Sequence, residues 1–307
     1  MRSKVLTPLE IEQFMEYGYI KLEQAYPRKV AMGAQNFIWD RLKESGVSKS
    51  DSTTWTEPMI HIREAYDDDV FQICNTNRLA DAIEDLIGEG RFAQRIVYGK
   101  DSEKNRWGWW PVNFSSGADR PWTVPTNGWH WDGIHFRHYI DSPDQGLLCL
   151  CLFSDVSPKG GGTLVAEGSH KLVARFLNER PEGIDLIDGI KAASVSHPWL
   201  AELTDNTSDG IGSTVERNEI FMNRYYRDSN GIRLKVVETT GLAGDVFLCH
   251  PFLFHSASQN HSSIPRFMCN RTTPLKEKMN LNRANDAEYS PLERSIKLAL
   301  ADTAGSS

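Results

Sequence analysis

The sequence predicts a mainly β fold, an antiparallel sandwich or barrel with helices packed outside it. Two blocks of the chain, 106–170 and 232–273, consist of short aromatic and apolar runs separated by Gly, Pro, Asn and Ser. Several short runs with turn residues between them are typical of antiparallel strands. Helical periodicity is found mainly outside these blocks, and no GxGxxG or GxxxxGK[ST] motif indicates a nucleotide-binding α/β fold. With 307 residues, 40% of them hydrophobic, the chain is long enough to bury a full core.

Helix signals are strongest before the first strand-rich block and after the second. The first helix is predicted to begin after Thr7, an N-cap residue followed by Pro8 and, three residues after the cap, by Glu10. Gly18 is predicted to end this helix. Three further segments carry helical periodicity or a helix start: 28–45, 78–88 and SPLERSIKLALAD from residue 290. We expect these helices to flank the core.

The predicted strands follow one another in six runs: RWGWWPVNF, GLLCLCLF, GGTLVAEGSH, KVVETTG, GDVFLCHPFLFH and RFMCNRTT. Residues 178–232 lie between the two blocks and mix polar turns with weak helical patches. A long insertion of this kind in a rigid sheet fold often forms a lid or a binding loop. Since no repeat, low-complexity segment or linker divides the chain, we predict a single domain, 1–307, with a lid or insertion at about 178–232.

The stretch NGWHWDGIHF, residues 127–136, carries the first chemical signal. Six of the nine tryptophans fall between positions 107 and 131, so His130 and Asp132 belong to a segment that is expected to be largely buried. On a strand, residues two apart share a face, so the imidazole and the carboxylate project together. Two histidines and one carboxylate form a facial triad that binds ferrous iron and leaves coordination positions open. A divalent cation would also compensate the burial of the carboxylate.

A bare His-x-Asp pattern is common, and it equally fits a hydrogen-bonded core histidine and a turn-forming aspartate. The interpretation needs a third ligand, and the second strand-rich block offers His250 and His255. Because these are five residues apart with Pro251 between them, at most one is expected to reach the site. A hairpin turning at residues 260–261 would place His255 opposite Arg266, with Cβ atoms within about 5 Å.

Arg266 is the candidate anchor for a dicarboxylate cosubstrate. Arginine is permanently charged and binds carboxylates in a bidentate manner. A 2-oxo acid can chelate iron through its 1-carboxylate and 2-keto oxygens while its far carboxylate pairs with Arg266. Taken alone, Arg266 equally fits a surface strand and His255 a turn.

Charge and composition exclude several other classes of function. The chain has 34 basic and 41 acidic residues, a net charge of -7, and no Lys/Arg cluster of the kind that binds nucleic acid. No window approaches the roughly 20 apolar residues that span a membrane, and no signal-peptide core is present. Five cysteines without a CxxC pair indicate reduced core residues. We therefore expect a cytoplasmic monomer or homodimer that binds neither nucleic acid nor membranes.

Taken in order, these motifs resemble the phytanoyl-CoA dioxygenase family of iron(II)- and 2-oxoglutarate-dependent oxygenases. The resemblance lies in four blocks that cover roughly a third of the chain: LTPLEIEQFMEYGYIKL, HWD at 130–132, GGTLVAEGSHK at 161–171, and GDVFLCHPFLFHSASQN followed by Arg266. The family's metal ligands and arginine correspond to His130, Asp132, His255 and Arg266, and His250 corresponds to a non-ligand histidine. The chain departs from the family pattern at Trp131, where glutamine is frequent, and at Ala257, where a small polar residue is usual.

The resemblance implies a double-stranded β-helix, the cupin-like jelly-roll barrel, with helices outside. It also implies Fe(II), 2-oxoglutarate and O2 as the reaction partners, and succinate and carbon dioxide as products. The presence of Asp132 favours hydroxylation, although desaturation, epoxidation and ring closure use the same triad. Asn113 and Thr163 are the further candidates for 2-oxoglutarate contacts; alternatively, each satisfies local backbone groups.

The substrate is predicted only as a class. No basic pocket for coenzyme A phosphates is visible in the sequence, so we expect a small-molecule metabolite and not an acyl-CoA. Trp110 and Trp131 are candidates for lining its pocket, and His135 and Arg137 for binding an anionic group, although tryptophans in strands are more often core residues. Two alternatives remain open: a non-catalytic jelly-roll protein that binds a metal or small molecule, and a zinc-dependent hydrolase.

Overall fold

The structure is a computed structural model, and it describes residues 3–93, 106–206 and 214–301. Its helices are α1 (Pro8–Tyr17), α2 (Arg28–Glu44), α3 (Asp69–Gln72), α4 (Asn77–Ile87), α5 (Ser169–Asn178), α6 (Leu186–Ser194), α7 (Pro198–Leu203), α8 (Thr214–Met222) and α9 (Pro291–Ala301). Its strands are β1 (Tyr19–Leu22), β2 (Met59–Tyr66), β3 (Trp107–Asn113), β4 (Arg137–His138), β5 (Leu148–Leu152), β6 (Leu164–Glu167), β7 (Ile184–Asp185), β8 (Tyr226–Arg227), β9 (Arg233–Glu238), β10 (Val246–Cys249), β11 (His255–Ser256) and β12 (Met268–Thr272).

Two four-stranded antiparallel sheets form the centre of the molecule. The first has the order β1-β10-β5-β12, and the second has the order β11-β6-β9-β8. Two smaller antiparallel pairs, β2-β3 and β4-β7, complete the strands of the described residues. The prediction of antiparallel sheets with flanking helices is therefore confirmed.

Strand β5 shows how the two faces of the first sheet are used. Its sequence alternates leucine and cysteine, and successive side chains of a strand point to opposite faces. Leu148, Leu150 and Leu152 pack in one apolar cluster with Val165 of the second sheet, so this cluster lies between the two sheets. The alternate residues, Cys149 and Cys151, pack on the opposite face of the sheet in the larger apolar cluster, which includes residues of the helices. This larger cluster is called the outer cluster below. All five cysteines are buried and free, as predicted.

The helices that the sequence predicts are present with nearly the predicted bounds. Helix α1 has a complete capping box between Thr7 and Glu10, and it ends at Gly18 in the left-handed conformation. The insertion is more helical than predicted: it contains α6, α7 and α8, which are six to nine residues long. Helices this short do not produce a long periodic pattern, so the sequence shows them only as weak patches. No helix of the described residues is long and apolar enough to cross a membrane.

The hairpin predicted between His255 and Arg266 is wrong. Strand β11 pairs with β6 of the second sheet, whereas β12, which begins two residues after Arg266, pairs with β5 of the first sheet. The chain between β11 and β12 therefore crosses from one sheet to the other. The Asn260 side chain holds this crossover, because its amide donates to the carbonyl oxygens of Asn113 at 2.9 Å and Ile264 at 2.8 Å.

Candidate metal centre

His130, Asp132 and His255 come together in one cluster. One ligand atom of each lies within 4.8 Å of the others, and no other group of three potential metal ligands is found among the described residues. The Nε2 atom of His130 lies 3.4 Å from Oδ1 of Asp132, and Nε2 of His255 lies 3.8 Å from the same oxygen. The cluster combines the two imidazoles and the carboxylate that the sequence pattern predicts, and it could hold a metal ion.

Backbone pairing places the two histidines side by side. The N–H of His130 donates to the carbonyl of His255 at 3.0 Å, and the N–H of His255 donates back at 2.8 Å. Directly opposed residues share a face, and the two rings lie with centroids 4.3 Å apart. Between the two ligands of the first segment, Trp131 points away and is fully buried. His250 is separated from this cluster and packs against His170, with ring centroids 4.9 Å apart.

Each histidine presents a nitrogen suited to bind a cation. Nδ1 of His130 lies 2.7 Å from the carbonyl oxygen of Gly128, and Nδ1 of His255 lies 3.0 Å from that of Leu253. A carbonyl only accepts hydrogen bonds, so each Nδ1 carries a proton. In the neutral rings each Nε2 therefore keeps a lone pair, whereas a protonated His130 donates from Nε2 to Asp132. Nε2 of His255 is buried and has no hydrogen-bond partner among the described residues. A divalent metal ion would satisfy this lone pair and the carboxylate together, so these residues fit the ion.

Burial and mutual charge shift the pKa values of all three groups. Burial lowers the pKa of His255 to about 4, so this imidazole is neutral at physiological pH. Burial by itself would lower the pKa of His130, but the hydrogen bond and the charge of Asp132 outweigh burial, so the pKa of His130 is raised. Burial opposes ionisation of Asp132, yet the hydrogen bond with His130 and the nearby charges hold its pKa below the ordinary value. The carboxylate is therefore ionised and ready to bind a cation.

Arg266 is a buried cation with unused donors. Its relative exposure is 2%, and its Nε and Nη1 atoms have no hydrogen-bond partner among the described residues. Phe267 packs in the outer cluster and Met268 in the cluster between the sheets, so by alternation Arg266 faces the space between the sheets. Burial lowers the pKa of its guanidinium to about 10. A buried charge is costly without a partner, so this position is suited to an anionic ligand.

The family model described as phytanoyl-CoA dioxygenase (PhyH) matches residues 14–268, which is most of the chain. The chain belongs to the phytanoyl-CoA dioxygenase family. This is the family of oxygenases that the sequence motifs resemble, and its match includes all three residues of the cluster as well as Arg266. No curated protein sequence matches the chain.

Several solved structures are similar to this family member. EctD from S. alaskensis with 2-oxoglutarate and 5-hydroxyectoine is 16% identical, with 86% of this chain and 74% of that chain covered and a TM-score of 0.47. HygX from Streptomyces hygroscopicus with nickel and 2-oxoglutarate is 14% identical, with 87% and 86% covered and a TM-score of 0.49. SnoN with Fe3+, alpha ketoglutarate and nogalamycin RO is 15% identical, with 85% and 80% covered and a TM-score of 0.44. Because the sequence identities and TM-scores are low, no property of these proteins is transferred to this chain. Its family membership depends on the match to the family model.

Asn113 lies beside Arg266, and Thr163 lies beside Met268, the first residue of β12. Asn113 and Arg266 exchange two backbone hydrogen bonds, at 3.0 and 2.8 Å. The amide side chain of Asn113 donates to the carbonyl of Ser258 at 3.1 Å and accepts from the N–H of Ser116 at 3.0 Å, so it already serves local backbone groups. The hydroxyl of Thr163 lies 3.5 Å from Sδ of Met268.

The four residues predicted to contact substrate have other neighbours. Trp110 and Trp131 are fully buried in the outer cluster, and their indole N–H groups donate to the Trp107 carbonyl at 3.2 Å and to Nδ1 of His138 at 3.1 Å. His135 is exposed. The guanidinium of Arg137 donates to the carbonyls of Glu182 at 3.0 Å and Gly183 at 2.9 Å, and it pairs with Asp185 at 3.1 Å. None of these contacts is with the metal cluster.

Trp109 is an aromatic residue whose position the sequence did not reveal. It has a φ of +61°, which is rare for a bulky side chain, and it is 36% exposed. Its indole stacks on His61, with ring centroids 5.4 Å apart at 29°. A register shift in the β2-β3 pair, between Ile62 and Ala65, accompanies this conformation. Because the shift depends on pairing with β2, no local pattern in the sequence signals it.

Proposed function

We propose that this chain is an iron(II)- and 2-oxoglutarate-dependent oxygenase that hydroxylates an unactivated C–H bond of a small-molecule metabolite, releasing succinate and carbon dioxide. One observation carries the proposal. Among the residues that the structure describes, the His130, Asp132 and His255 cluster has a buried Nε2 without a partner at His255, and the buried Arg266 has Nε and Nη1 without a partner. The first feature is suited to a metal ion and the second to a carboxylate, and membership of the phytanoyl-CoA dioxygenase family supports the combination.

Each site residue has a defined task in this proposal. His130 and His255 would hold Fe(II) through Nε2 and Asp132 through its carboxylate, while the Gly128 and Leu253 carbonyls fix the ring tautomers. When bound, the iron supplies the oxygen chemistry, which the decarboxylation of 2-oxoglutarate drives. Arg266 would bind the far carboxylate of 2-oxoglutarate in a space from which water is largely excluded.

We also propose that the two central sheets are the walls of a double-stranded β-helix. The Asn113–Arg266 bridge adds β3 beside β12 on the first sheet, and the His130–His255 bridge adds the His130 segment beside β11 on the second. The strand orders then become β1-β10-β5-β12-β3 and His130 segment-β11-β6-β9-β8. In this arrangement one wall contributes the metal ligands and the other contributes Arg266.

The insertion at about 178–232 is proposed as a lid within a single domain. Helix α8 is tied to the segment that leads to His130, because Nε of Arg217 donates to the Val124 carbonyl at 2.9 Å. Nη2 of Arg217 also donates to the Pro125 carbonyl at 3.0 Å. These contacts join the insertion to the segment that directly precedes His130, the first proposed metal ligand. We further propose that the protein is cytoplasmic, which its five free thiols support. Its proposed oligomeric state is a monomer or a homodimer.

The proposal is tested by anaerobic reconstitution with Fe(II) and 2-oxoglutarate, followed by oxygen and an assay for succinate. We expect a visible metal-to-ligand charge-transfer band before oxygen is added and succinate afterwards, with a metabolite library used to find compounds that accelerate its formation. His130→Ala should lose both signals, and His261→Ala, a change of an exposed histidine outside the cluster, should keep them. Absence of succinate from protein that has bound Fe(II) would instead favour the non-catalytic or the hydrolytic alternative.

A further inference from the structure

A second polar cluster lies on the same sheet face as His255. His255 is opposite Val165 on β6, and Val165 is opposite Val237 on β9. Arg233 and Lys235 share the face of Val237, because residues two apart on a strand project together. At about 4.8 Å between strands and 3.4 Å per residue, the Cα atom of Lys235 lies roughly 12 Å from that of His255.

Neither Arg233 nor Lys235 has a carboxylate within 4.0 Å among the residues that the structure describes. Lys235 is directly opposite Glu167, yet its ammonium lies over the ring of Tyr225, 5.1 Å from the centroid. The guanidinium of Arg233 lies over the same ring at 4.1 Å. Arg233 is also directly opposite Arg227, and like charges in opposed positions destabilise a sheet. Arg227, Arg233 and Lys235 therefore lie together, and none of the three forms an ion pair with a described residue.

Glu167 forms no ion pair within 4.0 Å with Arg233 or Lys235, and each of its oxygens accepts a hydrogen bond from a tyrosine hydroxyl. Oε1 accepts a hydrogen bond from the Tyr19 hydroxyl at 2.9 Å, and Oε2 accepts one from the Tyr225 hydroxyl at 2.9 Å. The second contact fixes Tyr225 at the sheet, and its ring supports the Arg233 and Lys235 side chains. Both cations are only half-buried, so their donors remain accessible to a ligand.

We propose that Arg233 and Lys235, supported by Tyr225, bind an anionic oxygen group of the substrate, a carboxylate or a phosphate, while another part of the substrate faces the metal centre. This inference rests on the proposed oxygenase function and adds a substrate class to it. The substrate is then an anionic small molecule whose charged group lies roughly 12 Å from the carbon that is oxidised, as the Cα atom of Lys235 does from that of His255. Arg137, the arginine that the sequence suggested for this task, already contacts two backbone carbonyls and Asp185.

The test compares anion binding by three forms of the protein loaded with Ni(II) and 2-oxoglutarate. Inorganic phosphate and acetate are titrated separately into the wild type, into Arg233→Gln/Lys235→Gln and into Arg41→Gln/Lys159→Gln. The last variant is a matched control, because Arg41 and Lys159 also lie over aromatic rings, those of Phe37 and Trp122. We expect the dissociation constant of at least one anion to rise tenfold or more in the first variant and to stay unchanged in the control. The anion that is affected identifies the group as phosphate or carboxylate.

Equal binding of both anions by all three forms, or no binding by the wild type, overturns the inference. Arg233→Lys separates a charge effect from a structural one, because it should retain most of the anion binding. The Ni(II) and 2-oxoglutarate titrations test the oxygenase proposal separately. All the forms compared keep Arg266, so the difference in phosphate or acetate binding can be interpreted even if 2-oxoglutarate fails to bind.

Discussion

Two charged residues, Asp132 and Arg266, define the chemistry proposed for this chain at the scale of single side chains. Each is costly to bury alone, and each lacks a full complement of protein partners. Asp132 lies within 4.0 Å of the Nε2 atoms of His130 and His255, and Arg266 has two unpartnered nitrogen atoms among the described residues. A cation and an anion would satisfy them, which is what Fe(II) and 2-oxoglutarate supply.

Arg266→Gln is expected to raise the 2-oxoglutarate concentration needed for half-maximal succinate formation by roughly 10- to 150-fold. The reason is the loss of a charge-assisted hydrogen bond of about 1.5 to 3 kcal/mol. Succinate formation at a series of 2-oxoglutarate concentrations measures the effect, and Arg41→Gln serves as a control with an exposed arginine. An unchanged requirement would mean that another residue binds the far carboxylate.

Asp132→Ala is expected to abolish succinate formation and to weaken Ni(II) binding at least tenfold. The variant removes the negative charge of the cluster and leaves two neutral imidazoles, whose affinity for a divalent ion is lower. Calorimetric titration of Ni(II) into metal-free protein measures the affinity. Normal turnover by this variant would contradict the assignment of the three ligands.

At the scale of elements, the junction between α1 and the first sheet connects the N-terminal helix to the strands around the site. Gly18 ends α1, and its carbonyl accepts a hydrogen bond from the His250 N–H at 2.7 Å. A Cβ atom at this position would lie 2.5 Å from Nδ1 of His170 and 2.8 Å from Cδ1 of Leu253. The glycine therefore allows close packing as well as a left-handed turn.

Gly18→Ala is expected to lower the free energy of unfolding by about 2 to 5 kcal/mol, from left-handed strain plus overpacking. Gly46 is a matched control because it has a similar φ, +86° against +88°, and a Cβ atom added there would have no neighbour within 4 Å. Gly46→Ala should cost only the strain, about 1 to 2 kcal/mol. Urea unfolding of both variants measures the difference, and equal losses would show that the contacts of Gly18 are unimportant.

At the scale of the whole molecule, the core contains histidines that are held neutral. His170 and His250 are each 1% exposed, and burial lowers the pKa of His170 to about 3 and that of His250 well below its ordinary value. In the unfolded chain both would titrate near pH 6.5. Between these limits the unfolded state binds more protons than the folded state, so stability falls as the pH decreases.

The metal-free protein is expected to lose stability as the pH falls below about 6.5, by up to about 1.4 kcal/mol per pH unit for each of His170, His250 and His255, whose pKa values are all lowered by burial. His130, whose pKa is raised, contributes a slope of the opposite sign above about pH 6.5 and little slope below it. Urea unfolding at pH 7.5, 6.5 and 5.5 measures the loss, and His170→Gln should reduce the slope. Constant stability over this interval would mean that these histidines are not buried in their neutral form.

The sequence by itself determined the local features of this protein. The capping box of α1, the strand-forming runs, the separation of His250 from His255 by Pro251 and the shared face of His130 and Asp132 depend on residues near one another in the chain. Short-range hydrogen bonds and side-chain alternation are enough to specify them. The family motifs also depend on such local segments, so they are recognisable without a structure.

Only the tertiary structure decided which segments meet across the fold. It paired His255 with His130 and not with Arg266, buried Trp110 and Trp131 in the outer cluster, engaged Arg137 with backbone carbonyls, and placed Arg233 and Lys235 on the face of His255. Strand partners and register are set by packing over the whole molecule, and a shift of one residue turns every side chain of a strand to the other face. A short stretch of sequence does not contain this information, which is why the grouping of His130, Asp132 and His255 was predictable and the strand pairing around it was not.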